Sequence, residues 1–285
     1  TSSTNGSITL NIYNGMGGHT WGAASSVIAN AGTGALNIVG SQAGKGGAWN
    51  ANLTGALNIA STYTAGTLTL NATAASSITG SVTLSSAAAN VWTVSPGVTM
   101  TASGVLAGSS AAITKNGTGT LILGGANTYT GATTINAGTL SVTGNTSSSA
   151  ITINSGGNLT GTGTVGAVTL NTGGTIGAGT GTATIGKLTG TSLTIGAGTG
   201  YAFTIGSAAG TTAGTDFDQI ALSGSLTLNN TSASPFTVYL YGSASGWSGA
   251  STYTWDIITA GSLITGFSAG NFTTDFTNFG IAASL

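Results

Sequence analysis

Short apolar–polar–apolar triplets recur along the whole chain, each set off by glycine, asparagine, serine or threonine. Examples are Leu36-Asn37-Ile38, Leu57-Asn58-Ile59, Leu68-Thr69-Leu70, Trp92-Thr93-Val94, Leu121-Ile122-Leu123, Ile151-Thr152-Ile153, Leu193-Thr194-Ile195, Leu226-Thr227-Leu228 and Phe236-Thr237-Val238. A period of two turns one face of a short strand inward and the other outward. The β-branched residues that dominate these triplets suit a pleated, half-buried surface. Helical spacing of apolar residues is sustained nowhere. The 50 glycines weigh further against helix, at about 0.5–1 kcal/mol per position relative to alanine. The expected class is all-β.

Strands this short do not make a good sandwich, and no regular Asn-Gly or Asp-Gly hairpin signal joins them. Regular short strands with glycine- and asparagine-rich corners fit a solenoid whose coils stack on one another. With two or three strands per coil, each coil takes about 20–25 residues and rises by about 4.8 Å. Glycines are expected at corners that need positive φ.

Charge is nearly absent. Charged residues are 2% of the chain, against about 25% in an ordinary domain. There is no Glu and no Arg; the ionised side chains are Lys45, Lys115, Lys187, Asp216, Asp218, Asp256 and Asp275. An apolar fraction of 40% is enough for a long core, so disorder is not expected. In a stacked coil the backbone amides pair with the coils on either side, and outward Thr and Ser hydroxyls are solvated by water. Solubility then does not require charge. Three scattered lysines cannot neutralise a nucleic-acid backbone or hold an acidic membrane surface. No apolar run is long enough for a spanning helix. Without cysteine there is no disulfide framework and no Cys-based metal site. The start at Thr1 with no leader sequence is expected of a processed product.

Residues 115–142, KNGTGTLILGGANTYTGATTINAGTLSV, resemble the autotransporter-associated β-strand repeat, also called the passenger-associated transport repeat. The resemblance is carried by the Gly-Thr-Gly-Thr-Leu opening, by Asn127-Thr-Tyr129-Thr-Gly131, and by Ile135-Asn-Ala-Gly138-Thr-Leu140. Residues 211–228 and 253–272 are similar to segments that follow such repeats in large exported bacterial proteins. The resemblance implies a right-handed parallel β-helix, or β-solenoid, outside or on the surface of a Gram-negative bacterium. The family's membrane-barrel translocator does not follow, which departs from a complete autotransporter. The expected organisation is an N-terminal β-rich part over 1–110 (first coils or cap), a repeat-bearing core over 111–215, and a C-terminal β region over 216–285.

No catalytic or metal site stands out. Asp216 and Asp218 would share a face on a strand, as paired carboxylates do in glycoside hydrolases, but no further acid, Arg, Lys or His accompanies them. They read as turn residues accepting amide hydrogen bonds, and calcium would lack most of its six to eight oxygens. His19 is a lone histidine, and GTGTVG over 161–166 matches a nucleotide loop by composition only. No enzymatic activity and no cofactor is expected.

The aromatics are unevenly spread, with most of them after residue 200. Tyr239, Tyr241, Trp247, Trp255, Phe267, Phe272, Phe276 and Phe279 either cap the last coils or form a docking face. Little charge, open strand edges and aromatics at one end favour head-to-tail self-assembly into a filament, sheath or matrix. Ile8, Leu10, Ile12 and Tyr13, in SITLNIYNG, are candidates for donating a strand to another copy. The competing reading is a monomeric surface adhesin that binds extracellular glycans or cells through the same aromatics.

Overall fold

The computed structural model describes residues 68–73, 75–84, 90–181, 183–242 and 251–280 with their side chains. It describes the backbone alone for 243–245 and for the strands Ile8–Asn11, Ile28–Ala29, Leu36–Val39, Trp49–Leu53, Leu57–Ile59 and Tyr63–Thr64. Among the described residues there is no α-helix, and the strand pairing is parallel throughout the ladders. One 3-10 turn occurs, at Ala269–Asn271. The fold is a parallel β-helix, the solenoid expected from the triplets in the parallel form that the resemblance implies.

The chain divides into two compact units, one of 1–140 with 144–150, the other of 141–143 with 151–285. In the first unit one sheet runs from Ile8–Asn11 through Leu36–Val39, Leu57–Ile59, Ser76–Ile78 and Thr99–Ala102 to Thr120–Leu123. A second runs from Ile28–Ala29 through Trp49–Leu53, Leu68–Ala72 and Asn90–Val94 to Ile113–Asn116 and Thr133–Ile135. A third, short sheet stacks Tyr63–Thr64, Val82–Thr83 and Leu106–Ala107. The coils beginning at Trp49, Leu68 and Asn90 therefore each contribute one strand to each of the three walls. Inward positions such as Leu70, Trp92, Met100, Ile113 and Leu121 are buried.

The second unit uses the same plan. Ile151–Ile153, Thr164–Leu170, Lys187–Ile195 and Gln219–Leu222 stack to Ile258–Ala260. Gly157–Gly161, Thr175–Gly177, Gly200–Ser207 and Phe236–Ser245 stack to Phe272–Phe279. Coil length departs from the expected range here. In the first unit most side-chain bonds from coil to coil join residues 20 to 24 apart, as at Asn116–Asn136 and Leu68–Trp92, with shorter steps of 16 and 18 at Thr133–Ser149 and Gly131–Ser149. In the second they start at 17, for Asn154–Asn171, and reach 32, 37 and 41 for Gly186–Asp218, Gln219–Asp256 and Asn230–Asn271. A longer coil encloses a wider interior, which needs larger side chains. Tyr201, Phe203, Phe217 and Phe236 supply them and are buried, with Phe203 5.7 Å from Tyr201 and 6.4 Å from Phe217 between ring centroids.

Glycine has a second use besides positive φ. An added Cβ at Gly104 would lie 2.0 Å from the Gly80 carbonyl oxygen, at Gly125 2.1 Å from that of Gly104, and at Gly144 2.2 Å from that of Gly125. This column of glycines lets successive corners of the first unit touch backbone to backbone. None of the three has positive φ. The corner at Gly138 does, with φ of 66°.

Candidate functional site

The repeat-like segment is best understood from its buried polar groups. Period two turns Lys115 inward beside Ile113, and it is fully buried. Its Nζ donates to the carbonyls of Asn116 (3.0 Å), Gly117 (2.6 Å) and Ala137 (3.0 Å). Those three acceptors use all three ammonium protons, so one cation ties together two successive corners. Burial lowers its pKa to about 8.

Asn127 accepts the Leu106 N–H with Oδ1 (2.9 Å) and donates from Nδ2 to the Gly125 carbonyl (3.0 Å). Tyr129 is buried, its hydroxyl 2.8 Å from Thr133 Oγ1, which lies 2.9 Å from Ser149 Oγ. Ser149 donates to the Gly131 carbonyl at 2.8 Å. Since that bond uses the serine's only proton, the chain of hydroxyls runs from Tyr129 to Thr133 to Ser149 to carbonyl. Burial holds the Tyr129 phenol above its usual pKa, against the hydrogen bonds of Thr133 and Ser149. Gly131 leaves no room for a Cβ, which would meet the Ala111 carbonyl carbon at 2.3 Å. The residues that make this segment recognisable thus hold coil to coil. Asn90 repeats the pattern one coil earlier, accepting from Leu68 N–H and donating to the Ala112 carbonyl.

Asp216 and Asp218 do not share a strand face. Both lie ahead of the strand Gln219–Leu222, in and just after a turn. Asp216 is half-exposed, and its Oδ2 accepts the Thr212 N–H at 2.9 Å. Asp218 is fully buried, Oδ1 accepting from Gly186 N–H and Oδ2 from Thr204 N–H, each at 2.8 Å. Burial raises its pKa to about 7, against those two backbone donors. The carboxylates are anchors within the coil, one local and one between coils. No group of three or more His, Cys, Asp or Glu among the described residues is placed to hold a metal. His19 lies outside the described residues, and the GTGTVG segment leads into the strand Thr164–Leu170.

The candidate docking residues divide by position. Ile8 and Leu10 lie on the strand Ile8–Asn11, which pairs with Leu36–Val39 on one side and begins its sheet on the other. Ile12, Tyr13 and Trp247 lie outside the described residues. Tyr239 and Tyr241 are half-buried on one strand, two residues apart. Trp255 is half-buried, 6.5 Å from Phe203 and stacked on Tyr253 at 6.1 Å. Phe272 packs edge-on against Phe236 at 6.0 Å, and Phe279 is buried.

Phe267 and Phe276 are different. With Leu263 and Ile264 they are the exposed large hydrophobics among the described residues, at 68%, 50%, 68% and 50% for Leu263, Ile264, Phe267 and Phe276. All four belong to the last coil. Among the described residues its strand Phe272–Phe279 has one partner, Phe236–Ser245, and ends its sheet. Ile264–Thr265 pairs, among the described residues, only with Leu226–Leu228. The sequence reading did not single out Leu263 and Ile264; the signal for them is the apolar run in SLITGF.

No helix of the described residues is long and apolar enough to cross a membrane. Comparison with curated proteins gives no match. The model of the passenger-associated-transport-repeat matches residues 113–142, the stretch that holds Lys115, Asn127, Tyr129 and Gly138, so the chain carries one such repeat, which suggests a place at the cell surface or exterior.

Proposed function

We propose that this chain is an exported, non-enzymatic structural protein of a Gram-negative bacterium, and that its β-helix stacks end to end with further copies of itself. The observation that carries this reading is the apolar surface that the described residues leave uncovered on the last coil of the second unit. A sheet end offers a row of unpaired backbone donors and acceptors, which natural proteins usually blunt with lysine, proline or a bulge. Here the terminal strand FTTDFTNF has no lysine or proline, although its pairing register does shift between Tyr239 and Tyr241. Large apolar side chains stand exposed beside it. Covering the half to two thirds of each that is still exposed stabilises an interface by about 1–2 kcal/mol before the costs of association. With a net charge of −1, little repulsion opposes such contact. A contact between unlike ends gives open polymers wherever its rotation does not close a ring.

The test is negative-stain electron microscopy and sedimentation of the purified chain, beside a Leu263→Lys/Phe267→Lys variant. Filaments from the parent chain and dispersed particles from the variant are expected. A parent chain that stays dispersed at high concentration, or a variant that still polymerises, overturns the reading. Deleting residues 1–15 is expected to abolish assembly as well. A dispersed parent chain shifts the weight to the monomeric adhesin.

A further inference from the structure

On the outer face of the second unit lies an open groove of about 430 Å³, within the range of small-molecule sites. Glycines 156, 157 and 173 and Ala202 leave its floor low. Tyr239, Tyr241, Asp275, Thr277 and Asn278 bring aromatic and polar groups to it. The strand register explains the grouping. Tyr239 pairs with Ala202 on one side and Asp275 on the other, and Tyr241 with Thr204 and Asn278. With side chains alternating along the strand, both tyrosines face outward while Val238 and Leu240 are buried.

Gly200 shapes the aromatic surface. A Cβ there would lie 2.5 Å from Tyr239 Cε2 and 3.2 Å from Cδ2. The Tyr239 ring therefore lies down over a position stripped of its side chain, and its outer face becomes part of the groove. Asp275 is held ready beside it. Its Oδ1 accepts the Thr277 N–H at 2.8 Å, and hydrogen bonds from the Thr277 side chain and backbone hold its carboxyl below the usual pKa.

We infer that this groove binds a neutral saccharide. A sugar ring has an apolar face that lies on an aromatic ring and a rim of hydroxyls that needs donors and acceptors; tyrosines with an ionised Asp, an Asn and a Thr offer both. The charge balance selects against acidic sugars. The lining contains one carboxylate and no cation, so a uronate or sulfated chain meets repulsion and no counter-charge. Low glycine walls leave the groove open, which suits an extended chain. The groove shares Asp275, Thr277 and Asn278 with the terminal strand Phe272–Phe279 but uses none of Leu263, Ile264, Phe267 and Phe276, so sugar binding and end-to-end stacking are tested by different side chains.

The experiment is isothermal titration of the full chain with cellotetraose, maltotetraose and mannotetraose, and with tetragalacturonate as the acidic control. Saturable binding of at least one neutral tetrasaccharide and none of tetragalacturonate is expected. Tyr239→Ala and Tyr241→Ala should each weaken binding about tenfold or more. Gly200→Ala should also weaken it, because the added methyl displaces the Tyr239 ring without removing any group that touches sugar. Absence of saturable binding by all three neutral probes, or preference for tetragalacturonate, overturns the inference. So does neutral-sugar binding that survives both tyrosine changes in variants whose circular dichroism is native. Sedimentation of the same samples reads stacking separately, so failure of one proposal is distinguishable from failure of the other.

Discussion

Asp218 should make the second unit less stable as the solution passes from acid to neutral, the reverse of the usual behaviour of a paired carboxylate. Its side chain is fully buried and no cation faces it among its hydrogen-bond partners, which are the N–H groups of Gly186 and Thr204. Burial outweighs those donors and raises the pKa from 3.8 to about 7. A carboxyl whose folded pKa is raised holds its proton more tightly in the native state. Between about 3.8 and 7 the native state therefore binds more protons than the unfolded one, and stability falls as pH rises. Its contribution is fully present below 3.8 and is lost as pH passes through about 7. At about 1.36 kcal/mol per pH unit, the displacement is worth at most about 4 kcal/mol. The assay is urea denaturation of the parent chain and Asp218→Asn at intervals from pH 4 to 8.5, followed by circular dichroism and tryptophan fluorescence. Groups other than Asp218 cancel in the difference between the two proteins. The parent should lose up to about 4 kcal/mol relative to the variant across that range. A flat difference, or one in which the parent gains with rising pH, refutes the reasoning and means that the amide donors dominate burial.

Lys115 should produce the opposite slope at higher pH. Its folded pKa is lowered from 10.5 to about 8, so the unfolded chain binds more protons between those values and stability of the first unit rises with pH there; Lys115→Met should abolish that rise in the same denaturation series. Gly104→Ala should cost about 2 kcal/mol or more, because its methyl would meet the Gly80 carbonyl. Gly270→Ala, with nothing within 4 Å, should stay within about 0.5 kcal/mol by urea midpoint. Asn90→Ala leaves the Leu68 N–H and the Ala112 carbonyl without their side-chain partner. It should lower stability by about 2 kcal/mol, read as a lower thermal midpoint.

The repetitive part of the fold was legible in the sequence because its cause is local. The triplet at Leu68 becomes the strand Leu68–Ala72 with alternating burial, and those at Trp92, Ile151 and Phe236 likewise fall on strands. Strands such as Thr99–Ala102, Thr133–Ile135 and Gly157–Gly161 were not visible in that way. Each turns a single large apolar side chain inward (Met100, Ile135 or Leu159) beside alanine, threonine or glycine, and so lacks the paired apolar signature of a triplet. They are strands because their neighbours in adjacent coils pair with them.

Alternation also put Lys115 on the inward face, but the sequence could not say that a cation would be tolerated there. Its acceptors at Gly117 and Ala137 come from two successive corners, and only stacking brings them together. The same holds for Asp218, whose partner Gly186 is 32 residues away, and for the glycine column, where each member excludes a side chain on account of the coil before it. The aromatic residues past 200 were plain in the sequence, yet which of them fill the interior and which face solvent was not. Phe203 and Phe236 are enclosed because the coils widen around them, whereas Phe267 and Phe276 lie on a last coil whose terminal strand has, among the described residues, a neighbour on one side only. Composition and period two, acting within a few residues, determine that the chain coils into stacked strands. Contacts between successive coils decide where its few charges are buried, where its backbone touches itself, and which apolar surface is left uncovered.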